Sequence, residues 1–238
     1  MALSSPPPTF LPSLKKTRYN RTMPTADPKT YLAPLITELE KPWPGNRTVN
    51  IVCHGHSVPA GYFKTPDVRT FDSYPHLWHR GIKARFPSAV VNVIVTAIGG
   101  ENSESGAVRF ERDVLSLRPD LVTLDYALND RRLGLEKSER AWTRMIEAAR
   151  AQKTPLLLLT PTADTSARWG DSSDPLLQHA AQIRTLAARH DVGLVDSLAA
   201  FEKYVAGGGK LSALMSQGNH PNRVGHELVV AELTRWLG

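Results

Sequence analysis

From about residue 46 onward, short apolar runs rich in β-branched residues alternate with segments of helical periodicity, and no other feature limits the fold as much. The runs cover 49–53, 89–98, 121–126, 156–160 and 192–195. Helical spacing fills the stretches 74–86, 105–117, 136–151 and 174–190. A last helix is expected over 222–237, with Val224, Leu228, Ala231 and Leu233 mostly on its inner face. Parallel strands need crossover connections, and right-handed crossovers place helices on both faces of the sheet. The alternation therefore predicts an α/β fold: a three-layer α/β/α sandwich built on a flavodoxin-like, doubly wound, five-stranded parallel sheet. In such sheets ligands bind beyond the carboxyl ends of the strands.

What precedes residue 46 reads differently. Residues 1–28 contain Pro6-Pro7-Pro8, Pro12, Pro24 and Pro28, which break helix and strand patterns alike, and they are expected to be a disordered or loosely packed N-terminal extension. Residues 29–45 are expected to hold a short helix and a linker closed by Pro42-Trp43-Pro44-Gly45, leaving 46–238 as the single folded domain. The net charge of +6 invites a nucleic-acid reading, but Lys15, Lys16, Arg18, Arg21 and Lys29 against Asp27 place +4 of it before residue 30. A nucleic-acid groove needs clustered cations and stacking aromatics on folded surface, so no nucleic-acid partner is expected. No run approaches the roughly 18 apolar residues of a membrane span, and the N-terminus lacks the apolar core of a secretory signal. The expectation is a cytoplasmic protein with no membrane partner. Cys53 is the only cysteine, which removes both an internal disulfide and a multi-cysteine zinc site.

Three polar clusters follow strands and a fourth precedes the last helix. Cys53-His54-Gly55-His56-Ser57-Val58-Pro59 puts a serine on a glycine-containing turn after the first strand, and Pro59 rules out the G-x-S-x-G elbow. Gly99-Gly100-Glu101-Asn102-Ser103 follows the second strand, and Ala127-Leu128-Asn129-Asp130 follows the third. Gly218-Asn219-His220-Pro221-Asn222 precedes the last helix. Taken singly, each also reads as a cap, a turn or a bystander histidine.

Taken together and in order, these clusters resemble the SGNH hydrolases, also called the GDSL esterase/lipase family, from about residue 46 to the C-terminus. The usual Gly-Asp-Ser corresponds to Gly55-His56-Ser57, the glycine block to Gly100, and Gly-x-Asn-Asp to Ala127-Leu128-Asn129-Asp130. The closing Asp-x-x-His corresponds to Gln217-Gly218-Asn219-His220, followed by Pro221-Asn222 and Gly225-His226. The resemblance implies Ser57 as nucleophile and His220 as its general base. It also implies an oxyanion hole from the backbone N–H groups of Ser57 and Gly100 and the side-chain amide of Asn129, with Asp130 fixing the loop. No cofactor or metal is called for.

His56 and Ala127 depart from the pattern by altering local packing. Gln217 departs more seriously, because the residue expected there is the carboxylate that orients the histidine. In a serine-protease triad the acid-to-amide change costs about 10⁴-fold in rate. Gln217 is expected to act as a neutral orienter by turning its carbonyl oxygen to the imidazole, unless a backbone carbonyl or another carboxylate takes that place.

Other histidines are better read as solvated or loop-packed than as metal ligands: His54 and His56 alternate along a strand, and His76 and His79 lack a completing cluster. His226 is expected to cap or decorate the last helix, turned away from His220. Arg131 and Arg132 either touch substrate at the pocket rim or form a solvated loop pair, and Trp169 either shapes the pocket or packs under its loop. The reading is a serine esterase for short acyl esters, with O-acetylated carbohydrate as the natural substrate class. A thioesterase, an aryl esterase and a non-catalytic acyl- or sugar-binding member remain alternatives, with oligomeric state open. A flavodoxin-like phosphate binder is weakened by the absence of a glycine-rich loop after the first strand.

Overall fold

The computed structural model describes residues 26–238, so residues 1–25 of the expected extension lie outside the described residues. Ala26 is already buried against the core. The elements run α1 (Ala33–Leu39), β1 (Thr48–Gly55), α2 (Ser57–Ala60), α3 (Tyr74–Arg85), β2 (Val90–Val95) and α4 (Ser103–Asp113). They continue with β3 (Leu121–Asp125), α5 (Ala127–Asp130), α6 (Leu135–Ala151), β4 (Leu156–Leu159), α7 (Pro175–His190), β5 (Gly193–Val195) and α8 (Ser197–Ala206). A hairpin of β6 (Met215–Gln217) and β7 (His220–Pro221) leads into α9 (Arg223–Thr234).

β1 to β5 form one parallel sheet in the order β2-β1-β3-β4-β5, the doubly wound arrangement read from the sequence. Each strand sends alternate side chains to opposite faces. Val49, Ile51, Leu121, Leu157 and Leu159 join Trp78 of α3, Phe201 of α8 and Leu233 of α9 in one core. Val52, Val122, Leu124, Leu156 and Leu158 join Phe110 of α4, Trp142 of α6 and Ile183 of α7 in the other. Burying a large side chain of this kind contributes roughly 1.5–3 kcal/mol, so the two layers hold the sheet firmly from both sides. The order reverses at β1 and β3, and the crevice at their carboxyl ends is where the polar clusters converge.

The structure differs from the sequence reading in three places. α8 and the β6–β7 hairpin fall in a stretch for which no element was anticipated. α9 is rotated relative to expectation: its buried face is Gly225, His226, Val229 and Leu233, while Val224 is 48% exposed and Ala231 is exposed. His226 takes the inner place because its Nδ1 accepts the Tyr74 backbone N–H (3.2 Å) and its ring stacks on Phe63 at 5.4 Å. It is a core histidine and not a surface decoration.

Candidate active site

β1 is carried to the crevice by its ladder with β3, which sets Gly55 opposite Asp125. A side chain at Gly55 would strike the Asp125 backbone, so glycine permits this approach of the two strands. The His56 N–H then donates to the Asp125 carbonyl (3.2 Å), and the chain turns into the short helix α2. The Val58 N–H donates to His56 Nδ1 (3.2 Å), an N-cap made by an imidazole. The turn presents Ser57 to His220, whose Nε2 lies 2.8 Å from Ser57 Oγ. His220 arrives from the other end of the chain on β7. The Ser216 hydroxyl donates to the backbone carbonyls of His220 and Pro221, pinning the hairpin, and Asn222 caps α9 directly behind it.

Of the orienters weighed from the sequence, both Gln217 and a backbone carbonyl stand behind His220, and they present different atoms to it. Gln217 Oε1 accepts from the Thr65 N–H (3.1 Å), which turns the amide nitrogen, Nε2, to face His220 Nδ1 at 2.6 Å. The acceptor beside Nδ1 is the backbone carbonyl of Phe63 at 3.0 Å. The two neighbours select opposite tautomers: the carbonyl requires a proton on Nδ1, whereas the amide N–H requires a lone pair there. Only the first leaves Nε2 bare to accept the Ser57 proton. Burial holds the His220 pKa below its ordinary value; the Phe63 carbonyl works against this and nearby His56 adds to it. The ring is therefore neutral at pH 7.

Gly100 follows β2 with φ +83°, a left-handed conformation that favours glycine. Asn129 sits in α5, where its Nδ2 donates to the Glu101 carbonyl (2.7 Å) and retains a second N–H. Glu101 is held in turn by the buried Arg109, whose guanidinium also reaches Asp113 (3.4 Å) and the Tyr126 hydroxyl (3.4 Å). Asp130 faces away from the serine, and its carboxylate accepts from the Ser103 N–H (2.8 Å), the Ser138 hydroxyl (2.9 Å) and Trp142 Nε1 (2.7 Å). Ser57, Gly100, Asn129 and His220 all open onto one cleft of about 850 Å³. Arg131 lines it while paired with Asp164 (2.8 Å), and Arg132 lines it from an exposed position. Tyr62 stands over the histidine with ring centroids 6.2 Å apart. Trp169 is half-buried against the core and does not line the cleft. A second cavity, of about 510 Å³, lies near Tyr31, Leu35 and Ile146 by the amino end of β4 and holds none of these groups.

The expectation of solvated or loop-packed histidines fails at His54 and His56, both of which are fully buried. His54 packs between Phe110 and Tyr126, its Nε2 3.2 Å from the Gly106 carbonyl. His56 Nε2 lies 3.4 Å from Asp125 Oδ1 and its Nδ1 lies 3.3 Å from Ser57 Oγ. Among the described residues, no three His, Cys, Asp or Glu side chains are grouped as a metal site would require. No helix among them is long and apolar enough to cross a membrane. The sequence named neither Asp125, which lies against His56, nor Phe63, whose carbonyl is the backbone acceptor weighed only in general terms.

A sequence model described as the GDSL-like lipase/acylhydrolase family matches residues 53–228. The fold superposes on Axe2, an acetylxylan esterase from Geobacillus stearothermophilus, with a TM-score of 0.70 at 19% identity, over 80% of this chain and 94% of that one. It also superposes on a two-domain esterase active on acetylated mannans, with a TM-score of 0.70 at 23% identity, covering 87% of this chain and 52% of the other. At these identities the likeness establishes the fold. No curated protein sequence matches the chain.

Proposed function

The chain belongs to the GDSL-like lipase/acylhydrolase family and is a carboxylic ester hydrolase; from that premise we propose that it removes short acyl groups, acetyl above all, from carbohydrate through an acyl-enzyme on Ser57. The observation that carries this reading is the 2.8 Å approach of Ser57 Oγ to His220 Nε2 at the mouth of a cleft shared with Gly100 and Asn129. Ser57 Oγ attacks the ester carbonyl carbon while its proton passes to His220 Nε2. The Ser57 and Gly100 N–H groups and the free N–H of Asn129 receive the negative charge on the former carbonyl oxygen. Collapse breaks the bond to the sugar oxygen, which leaves with the proton from His220. Water then repeats the sequence, giving its proton to His220, releasing the carboxylic acid and restoring Ser57.

The Phe63 carbonyl is the orienter in this scheme, holding the Nδ1 proton so that Nε2 is bare. An uncharged orienter stabilises the imidazolium less than a carboxylate does, so the reaction proceeds without the full assistance of a triad. The wide cleft with Arg131, Arg132, Asp164 and Tyr62 around it suits a polar, ring-bearing alcohol better than a long acyl chain. The polar sugar-ester class draws further support from the activities named for the two structurally similar esterases.

The test is hydrolysis of p-nitrophenyl acetate, butyrate and octanoate and of acetylated xylo- and manno-oligosaccharides by wild type and Ser57→Ala. Acetate release by wild type that falls with chain length and vanishes in Ser57→Ala is the expected result. If wild type matches the buffer blank on every ester, the esterase reading is lost.

A further inference from the structure

Beneath Ser57 lies a second acid–imidazole arrangement that the proposed reaction does not yet use. Asp125 closes β3 at 1% exposure, and neither of its oxygens has a hydrogen bond of full geometry; His56 Nε2 lies 3.4 Å from Oδ1, and the Tyr74 hydroxyl, itself unpartnered, faces the same carboxylate. A buried carboxylate without a partner is costly, and such groups call for a functional reason. The other polar groups around it are Tyr74 of α3, Cys53 of β1 and Thr123 of β3, all buried. Burial, with the Asp125 carboxylate as a lesser cause, pushes the Tyr74 phenol well up. The Cys53 thiol is pushed up to about 12, again mainly by burial. Both stay uncharged across the working pH range. His56 is thus the one neighbour able to bring a proton to the carboxylate from a position that also touches the serine.

The other ring nitrogen of His56 is accounted for. Nδ1 accepts the Val58 N–H at 3.2 Å, so it carries a lone pair, and the proton belongs on Nε2, facing Asp125. That same bare Nδ1 lies 3.3 Å from Ser57 Oγ. The serine hydroxyl therefore stands between two imidazole acceptors, His220 with a neutral group behind it and His56 with a carboxylate behind it.

We propose that Asp125, acting through His56, is a positioning residue for Ser57: its buried carboxylate fixes the His56 tautomer whose bare Nδ1 caps the nucleophile turn and aims the Ser57 hydroxyl. This inference rests on the esterase reading of Ser57. The opposite tautomer would put an N–H on Nδ1, repel the Val58 N–H and donate to Ser57 Oγ, blunting the nucleophile and loosening the turn that aims the Ser57 N–H. The ionisable groups near His220 are His56 across the serine and His226 of α9, and burial holds His226 down to about 3.

The experiment has two arms. In the wild-type protein, ring ¹⁵N shifts of His56 are recorded between pH 5.5 and 8.5. A pyridine-like Nδ1 with a protonated Nε2 supports the proposal, and a protonated Nδ1 overturns it. In Asp125→Asn, assayed on p-nitrophenyl acetate after circular dichroism has established folding, kcat falls by roughly 10-fold or more while KM stays within about 2-fold. A folded Asp125→Asn with wild-type kcat overturns the proposal. If Asp125→Asn does not fold, the wild-type shifts decide alone. Failure of wild type to hydrolyse any ester defeats the esterase reading instead, while the shifts still report which His56 tautomer faces Asp125.

Discussion

At the scale of single residues, the contact that most limits the proposed reaction is the one between His220 Nδ1 and the Gln217 amide. Replacing the amide by a carboxylate removes a competing donor and adds a charged acceptor, which is worth about 1–2 kcal/mol, or roughly 10-fold in rate. Gln217→Asp is accordingly expected to raise kcat on p-nitrophenyl acetate at pH 8. The pH profile gives a second reading of the same change. In wild type, His220 must be neutral to act and its pKa lies below the ordinary 6.5, so kcat/KM rises through a pKa below 6.5 and is flat above pH 7. A carboxylate beside Nδ1 favours the imidazolium and moves that limb to higher pH in Gln217→Asp. An unchanged limb and an unchanged kcat would mean that the Phe63 carbonyl alone sets the tautomer. Ser57, Gly100, Asn129 and His220, which line one cleft, could be expected from the sequence because the four polar clusters that hold them occur in the order of the SGNH pattern they resemble, not because any one cluster is distinctive. The Phe63 carbonyl could not, since every residue has a backbone oxygen and only the fold decides which one meets an imidazole. Asp125 left a faint signal, an ionisable residue closing the apolar run 121–126, but its partner His56 lies 69 positions away and is brought to it by the register of β1 on β3.

At the scale of elements, the placing of Asn129 depends on how α5 is moored. Asp130 fastens that helix to the start of α4 through the Ser103 N–H and to α6 through Ser138 and Trp142. Asp130→Ala leaves three buried donors unpaired at about 1–3 kcal/mol each, so urea unfolding is expected to show a loss of roughly 3–5 kcal/mol. The loosening reaches the adjacent Asn129, and kcat falls with it even under conditions where the variant stays folded. A loss below about 1 kcal/mol would show that water replaces these hydrogen bonds and that α5 is held by packing alone. The long amphipathic helices and the five strands could be read from period and composition because both cores demand continuous apolar faces. α8 escaped notice because it is ten residues long, and the hairpin β6–β7 because its strands have three and two residues, too few for an alternation to register. The rotation of α9 escaped for another reason: a histidine counts as polar in any periodicity, yet His226 is inside because the Tyr74 N–H and the Phe63 ring complement it.

At the scale of the whole molecule, two histidines in the folded interior make stability depend on acid in a predictable direction. Burial holds His54 down to about 4, with Arg109 adding to the effect, and holds His226 down to about 3. Unfolded, both would titrate near 6.5, so below that pH the unfolded chain binds protons that the folded chain refuses. Their contribution is fully present above pH 6.5 and is lost progressively as pH falls through about 4 and then about 3. With each unit worth about 1.4 kcal/mol, the two together tilt the balance by several kcal/mol, a large share of a domain's typical 5–15. Urea midpoints measured from pH 7.5 downward should be level to about 6.5 and then fall steadily. His226→Asn keeps a side-chain acceptor near the Tyr74 N–H and removes one of the two titrations, so its curve should start lower and fall less steeply. A wild-type curve that stays level from pH 6.5 to 4.5 would mean that these rings take up protons without unfolding. The same series separates two acid effects on activity: protonation of His220 in the cleft is reversed at once on returning to neutral pH, whereas protonation of His54 and His226 acts by unfolding and recovers only as the chain refolds. Activity regained in a rapid pH jump from 5.5 to 7.5 therefore belongs to the site, and activity regained slowly belongs to the core.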